Sequence, residues 1–156
     1  MHYPPPIELL VVFMASILIW IEVLWGGITF LKSKQKIKKV LLKNGPLILV
    51  CSYVIAFIAS IIYDNPRPFI AGGFEPLASN SMDNGFPSDH TLFALIIAFT
   101  FLKTHKRLAY TFFMFTLLIG LGRVLAGVHH TIDIIGSLAI VSLVYWILSK
   151  TKVLRN

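Results

Sequence analysis

Eight residues able to do chemistry on a phosphate fall in three short polar stretches of an otherwise apolar chain. They are Arg67 in Asn65-Pro66-Arg67-Pro68-Phe69, then Ser88, Asp89 and His90 in Phe86-Pro87-Ser88-Asp89-His90-Thr91. The last four are Arg123, His129, His130 and Asp133, in the run from Gly122 to Asp133. Arginine presents a planar fork of donors that matches phosphoryl oxygens. Pro66 and Pro68 flank Arg67 and hold it in extended backbone, so that no preceding helix can absorb it. Pro87-Ser88 reads as a helix start, with Ser88 or Asp89 as its cap. The free N–H groups and positive dipole end of such a start form an anion site. His129 and Asp133 lie four apart, so one carboxylate can take a proton from one ring nitrogen and aim the other outward. Together these parts make a phosphate cradle beside an oriented imidazole.

The elements that carry these stretches are apolar. Of the 156 residues 56% are hydrophobic and 13% charged, a balance that argues against a soluble domain. Five apolar segments, Ile7–Leu31, Leu47–Tyr63, Thr91–Leu102, Leu108–Leu121 and Ile132–Leu148, alternate with polar ones. A spanning helix needs roughly 20 residues, and in lipid only helices satisfy their own backbone. The third segment is extended back to about Ser88, the fourth to between Lys103 and Arg107, and Thr131 is taken as the cap of the fifth. The expectation is an all-α, polytopic membrane helical bundle of five transmembrane helices. It forms one integral membrane domain over residues 1–156, with a motif-bearing core of about 46–149. The first segment is too long for a secretory signal and has no basic region before it. The lone Cys51 implies neither a disulfide nor a thiolate metal site.

Charge orients the bundle. Lys32 to Lys43, Lys103 to Arg107 and Lys150 to Arg155 fall on one side of the alternating spans and hold every Lys and Arg except Arg67 and Arg123. By the positive-inside rule that side is cytoplasmic, which puts the N-terminus outside, the C-terminus in the cytoplasm and the three polar stretches on the outer face. The net charge of +7 is then a matter of topology, not of nucleic-acid binding. The Lys32 to Lys43 stretch reads as a cytoplasmic loop.

The pattern Arg67-Pro68, Pro87-Ser88-Asp89-His90 and Arg123-x5-His129-x3-Asp133 resembles the type 2 phosphatidic acid phosphatase superfamily. Its wording is similar to that of the bacterial undecaprenyl-diphosphate phosphatases linked to bacitracin resistance. The resemblance implies that His129 attacks phosphorus and becomes phosphohistidine while Asp133 orients it. It further implies that His90 protonates the leaving group and later activates water. Arg67, Arg123, Ser88 and the backbone N–H of Asp89 would hold the phosphoryl oxygens. No metal and no cofactor are implied, and the partners are a lipid phosphate and the plasma membrane, not nucleic acid. Three positions depart from the general pattern. Ser60 stands where the family usually has a lysine, Asp89 where it often has glycine, and Gly122 where serine is common.

Other readings remain. The substrate could be phosphatidate, phosphatidylglycerophosphate or a lipid A phosphate in place of undecaprenyl diphosphate. From other classes, three histidines and two aspartates could serve a metal-ion transporter, or the chain could be an inactive scaffold. His130 reads as structural or as part of the substrate rim, and Asp89 as a cap or a modulator of His90. His2 and His105 read as idle. Glu22 lies inside the first span, where an acid is a functional candidate, and is read as snorkelling or bonded to another helix. Trp20, Trp25 and Trp146 read as interfacial anchors. The Ile70 to Gly85 stretch is either a lid or an ordinary interfacial loop.

Overall fold

The computed structural model describes residues 3–78 and 82–154. Among these every regular element is helical, and the β-type pairing is an isolated bridge between Pro66 and Asn84. The chain opens with α1 (Pro5–Val12), a π-helical segment (Phe13–Ile17) and α2 (Leu18–Lys32), which run on as one continuous helix. α3 (Gln35–Ile62) follows, then the short α4 (Pro68–Gly72), α5 (Asp89–Leu102), α6 (Lys106–Leu125) and α7 (Thr131–Lys150). A 3-10 turn at Lys152–Leu154 closes the described chain. Pro5–Lys32, Gln35–Ile62, Lys106–Leu125 and Thr131–Lys150 are long and apolar enough to cross a membrane.

α5 is the hub. It has 14 residues, about 21 Å at 1.5 Å per residue, and by length alone falls short of the roughly 30 Å hydrocarbon core. Half of its residues are buried, because α2, α3, α6 and α7 all pack on it. Leu92, Leu95 and Ile96 meet Ile48 and Ala56 of α3 and Val141 and Val144 of α7. On other faces Ala98 and Phe101 meet Phe112 of α6, and Ala94 meets Leu18 and Ile19 of α2. Many large apolar side chains of the outer helices, Leu9, Ile62 and Trp20 among them, face away from the bundle, as bilayer-facing surfaces do.

Several expectations are corrected. The basic stretch from Lys32 to Lys43 is not a loop: α3 starts at Gln35, so Lys36, Lys38, Lys39 and Lys43 ride on its first turns and the connection is only Ser33–Lys34. Lysine is a good helix former, and nothing between Gln35 and Asn44 breaks the helix. Pro46 is carried inside it. The cap of α7 is His130, not Thr131. Ser88 does occupy the cap position of α5, but its side chain makes no capping bond. α4, within and just ahead of the expected loop, was not foreseen. Pro68 at its first position, with Arg67 extended at φ −61° and ψ 148°, starts it. Residues 79–81 of that loop, His2 and Arg155 lie outside the described residues.

Glu22 neither snorkels nor bonds to another helix. It lies on the inward face of α2 with Leu18, Ile19 and Gly26, fully buried, and neither carboxyl oxygen has a hydrogen-bond partner. Its position on that face, not its distance from the membrane surface, decides this.

Candidate active site

The site is assembled where three connections meet at one end of the bundle. The first leaves α3 at Tyr63 and extends through Asn65 and Pro66 to Arg67. The second is the 82–88 segment that leads into α5, and the third is the turn from α6 to α7. In that turn Gly127, at φ 74°, reverses the chain and presents His129, which is 2% exposed. Asn84 joins the first two connections. Its amide nitrogen donates to the Ser60 and Tyr63 carbonyls at 2.8 and 2.9 Å, and its oxygen accepts from the Asn65 and Phe86 amides at 3.0 and 2.9 Å.

His129 is oriented from two sides. Its Nδ1 lies 2.9 Å from the Gly85 carbonyl and 3.3 Å from Asp133 Oδ2. A carbonyl can only accept, so Nδ1 carries the proton and Nε2 keeps its lone pair. The expected carboxylate partner is therefore present but shares the imidazole with a backbone oxygen. Gly85 has to be glycine for this. A Cβ there would stand 2.9 Å from the Asn65 carbonyl oxygen, 3.2 Å from Asp133 Oδ2 and 3.3 Å from Arg67 Cγ. Asp133 is fully buried and held by Asn65 Nδ2 at 2.7 Å and the His130 amide at 2.8 Å. Such second partners lock an orienting carboxylate as firmly as the imidazole it holds. Burial holds the His129 imidazole below its ordinary value, and the Arg123 and Arg67 charges push it the same way, against the Asp133 hydrogen bond and charge.

Both arginines that break the charge asymmetry are buried. Arg67 NH1 donates to the Val128 carbonyl and faces His129 Nε2, each at 3.1 Å. Its Nε and NH2 donate to Asp83 Oδ1 at 3.1 and 2.7 Å. Arg123 is placed by the first helix, since NH1 reaches the Ala15 carbonyl at 3.4 Å inside the π-helical segment. Its Nε is buried without a partner, a donor left over for an anion. Gly122 lets the helices close on each other here. A Cβ at that position would stand 2.7 Å from Ala15 N and from Met14 Cβ, which leaves no room for the serine expected there.

Ser88 is fully buried. Its hydroxyl accepts from Thr91 at 3.2 Å and its amide donates to the Asp133 carbonyl at 3.3 Å. Ser137 Oγ bridges the Ser88 and Asp133 carbonyls, at 2.9 Å from each. His90 is half-buried on the first turn of α5, within the electrostatic reach of Arg123, His129 and Arg67. It lines a cavity of about 210 Å³ together with Asp89, Tyr53, Trp20 and Phe93. Asp89 is exposed and forms part of a second cavity of about 310 Å³ as well. His130 caps α7 and its Nε2 donates to the Pro66 carbonyl at 3.2 Å, which fits the structural one of its two readings. His105 sits at the opposite end of the bundle beside Ser33.

Thus Arg67, His129 and Asp133 are directly linked, Ser88 joins them through α7, and His90 and Asp89 lie within the electrostatic reach of Arg123, Arg67 and His129. Residues given no role in the sequence reading are Asn65, Asn84, Gly85, Ser137 and Ala15. Asn65 opens the first motif stretch and the Asn84-Gly85 pair directly adjoins the second, which was the available signal. Ala15 and Ser137 carried none.

A family model described as the PAP2 superfamily matches residues 45–156. The chain belongs to that superfamily. It is 34% identical over 91 residues to the undecaprenyl-diphosphatase BcrC of Bacillus subtilis (strain 168), covering 58% of this chain and 47% of that one. Over 96 residues it is 27% identical to the bacitracin transport permease protein BcrC of Bacillus licheniformis, covering 56% of this chain and 47% of that one. The chain matches about half the length of these curated relatives. The crystal structure of Aquifex aeolicus LpxE superimposes with a TM-score of 0.74 at 21% identity, covering 96% of this chain and 89% of that chain. The likeness in fold to that structure extends through α1 and α2, beyond the residues the family model matches. The chain is an all-helical, multi-pass membrane protein.

Proposed function

We propose that this protein hydrolyses a lipid phosphate, with undecaprenyl diphosphate as the preferred substrate, at the outer face of the plasma membrane through a phosphohistidine. The observation that carries the reading is the set of partners around the His129 ring, from which its tautomer follows. With Nδ1–H engaged by Gly85 and Asp133, the Nε2 lone pair is directed at the Arg67 guanidinium, where a phosphoryl group would be held.

In the first step Nε2 attacks phosphorus, the bond from phosphorus to the leaving oxygen breaks, and His90 supplies that oxygen's proton as needed. Asp133 stabilises the positive imidazole that results. His90 then takes a proton from water, which attacks the phosphohistidine and returns His129 with inorganic phosphate. Arg67, Arg123, Ser88 and the Asp89 amide stabilise the charge on the equatorial oxygens. Family membership supports the reaction class, and the similarity to an undecaprenyl-diphosphatase supports the substrate. In a diphosphate the leaving group is a phosphate monoester, which departs with little protonation.

The topology belongs to the same proposal. α5 counts as a fifth span whose short length is tolerated because four helices shield its ends. The N-terminus is then outside, and Lys36, Lys38, Lys39 and Lys43 are cytoplasmic. A transporter of metal ions is less well served. Among the described residues no group of three or more His, Cys, Asp or Glu side chains converges on one point, and two buried arginines would repel a cation.

The test is phosphate release from undecaprenyl and farnesyl diphosphate by purified protein, with phosphatidate, phosphatidylglycerophosphate and a lipid A phosphate alongside. Turnover that persists in EDTA and is lost in His129→Ala supports the proposal. Wild-type protein that releases no phosphate from any of these lipids overturns it.

A further inference from the structure

We infer that the cleft between α2 and the start of α6, at the end of the bundle away from His129, binds the headgroup of an anionic phospholipid. The inference goes beyond the proposed function and does not depend on it. The cleft has a volume of about 530 Å³ and is lined by Trp25 and Thr29 of α2, by Lys106, Arg107 and Thr111 of α6, and by His105. Arg107 lies about 24 Å along α6 from Arg123, at 1.5 Å per residue, so this place is separate from the phosphate site.

Two cations line the cleft, and the protein neutralises neither. The side chains of Lys106 and Arg107 have no hydrogen bond or ion pair among the described residues. No Asp or Glu occurs between Glu22 and Asp64, between Asp89 and Asp133, or beyond Asp133, and Glu22 itself is fully buried. This end of the bundle therefore supplies no acidic side chain to pair with them. The nearby hydroxyls are spent as donors: Thr29, Ser33 and Thr111 turn back to the carbonyls of Trp25, Thr29 and Arg107, at 2.9, 2.7 and 3.3 Å. The Ser33 oxygen is then left to accept from His105 Nε2 at 3.4 Å, which ties the end of α2 to the start of α6. An anion is the missing partner, and the guanidinium fork beside a lysine point charge suits a phosphate.

The rest of the cleft favours an amphiphile over a free anion. Trp25 forms an apolar wall, with its ring edge-on to Phe112 at 6.0 Å and tilted to Phe115 at 6.3 Å. Tyr110 and Met114, three and seven residues on from Arg107 and so on its face of α6, are 61% and 58% exposed. They continue the cleft as an apolar track away from the cations, along which an acyl chain can lie. A basic pocket between membrane helices that opens on such a track is where an acidic headgroup docks.

The test reads the lipid from inside the cleft. The chain has three tryptophans, so Trp20→Phe with Trp146→Phe leaves Trp25 as the sole reporter. In detergent, brominated phosphatidylglycerol should quench the fluorescence of this purified protein at lower concentration than brominated phosphatidylcholine. A cation beside an acidic headgroup is worth about fivefold in affinity, so Arg107→Gln should raise the half-quenching concentration about fivefold and Lys106→Gln with Arg107→Gln about 25-fold. The single variant keeps the test decisive if the double one is unstable. Lys36→Gln with Lys39→Gln makes the same charge change at exposed positions of α3, which does not line the cleft. It should have less than about a twofold effect, because salt screens outlying charges over about 8 Å. Soluble glycerol phosphate should not displace the lipid. Equal quenching by the two lipids, or equal losses in the two double variants, would overturn the inference. Displacement by glycerol phosphate would assign the cleft to a free anion and overturn it as well.

Discussion

Gly85→Ala tests whether the backbone around His129, and not only its side-chain partners, sets the reactivity of the site. The new Cβ would stand 2.9 Å from the Asn65 carbonyl oxygen, where ordinary contact begins at 3.4 Å, so the segment must retreat by about 0.5 Å. Retreat along that direction is hindered by Asp133 Oδ2 at 3.2 Å and Arg67 Cγ at 3.3 Å, both parts of the same site. The carbonyl that holds His129 Nδ1 at 2.9 Å moves with the residue. Leaving a buried donor poorly satisfied costs about 1–3 kcal/mol, and a misplacement of about 1 Å can cost roughly 10²-fold in rate. At about 1.4 kcal/mol per tenfold, kcat should fall by roughly 10- to 100-fold, with a smaller change in KM. The assay is phosphate release from farnesyl diphosphate by purified wild type, Gly85→Ala and Gly27→Ala. Gly27 is the control, since a Cβ there meets nothing within 4 Å. Gly85→Ala activity within twofold of wild type would refute the carbonyl's role.

His129→Ala should abolish turnover, while Asp133→Asn should leave slight activity, because orientation suffers but the nucleophile survives; steady-state phosphate release on both checks this. The acid limb of the kcat/KM profile assigned to His129 should lie below pH 6.5, since its protonation is disfavoured by burial and two arginines. The unfolded chain takes up that proton more readily, so the contribution of His129 to stability is complete above about pH 6.5 and declines as pH falls below it, which melting curves across pH can follow. Gly122→Ser should drive the π-helical segment off α6 and release Arg123, reducing phosphate affinity as well as kcat. Cysteines placed at Lys36 and at Glu75, in a Cys51→Ser background, should be labelled by an impermeant reagent from opposite sides of the membrane; labelling of both from outside would overturn the topology.

Apolar segment length and the three polar stretches were legible in the residues themselves. Helical content follows from composition and the pairing of His129 with Asp133 from a local spacing of four residues, while the family was carried by the resemblance of the three motifs and is shown by the family model. Element boundaries were less so. α3 begins at Gln35, well ahead of its apolar run, because lysines continue a helix as readily as leucines and hydropathy does not register that. The partners that finish the site are distant in sequence. The Gly85 carbonyl on Nδ1, Asn65 on Asp133, Asp83 on Arg67 and Ala15 on Arg123 join connections that meet only when the helices pack. Backbone oxygens and small residues carry no signature in a sequence, since every residue has a carbonyl and a close approach shows itself only as a missing side chain. Residue chemistry thus determined which groups could act on a phosphate. Helix packing alone decided which nitrogen of His129 faces Arg67 and which anion holds Arg67, because both depend on the crossing of elements rather than on their order.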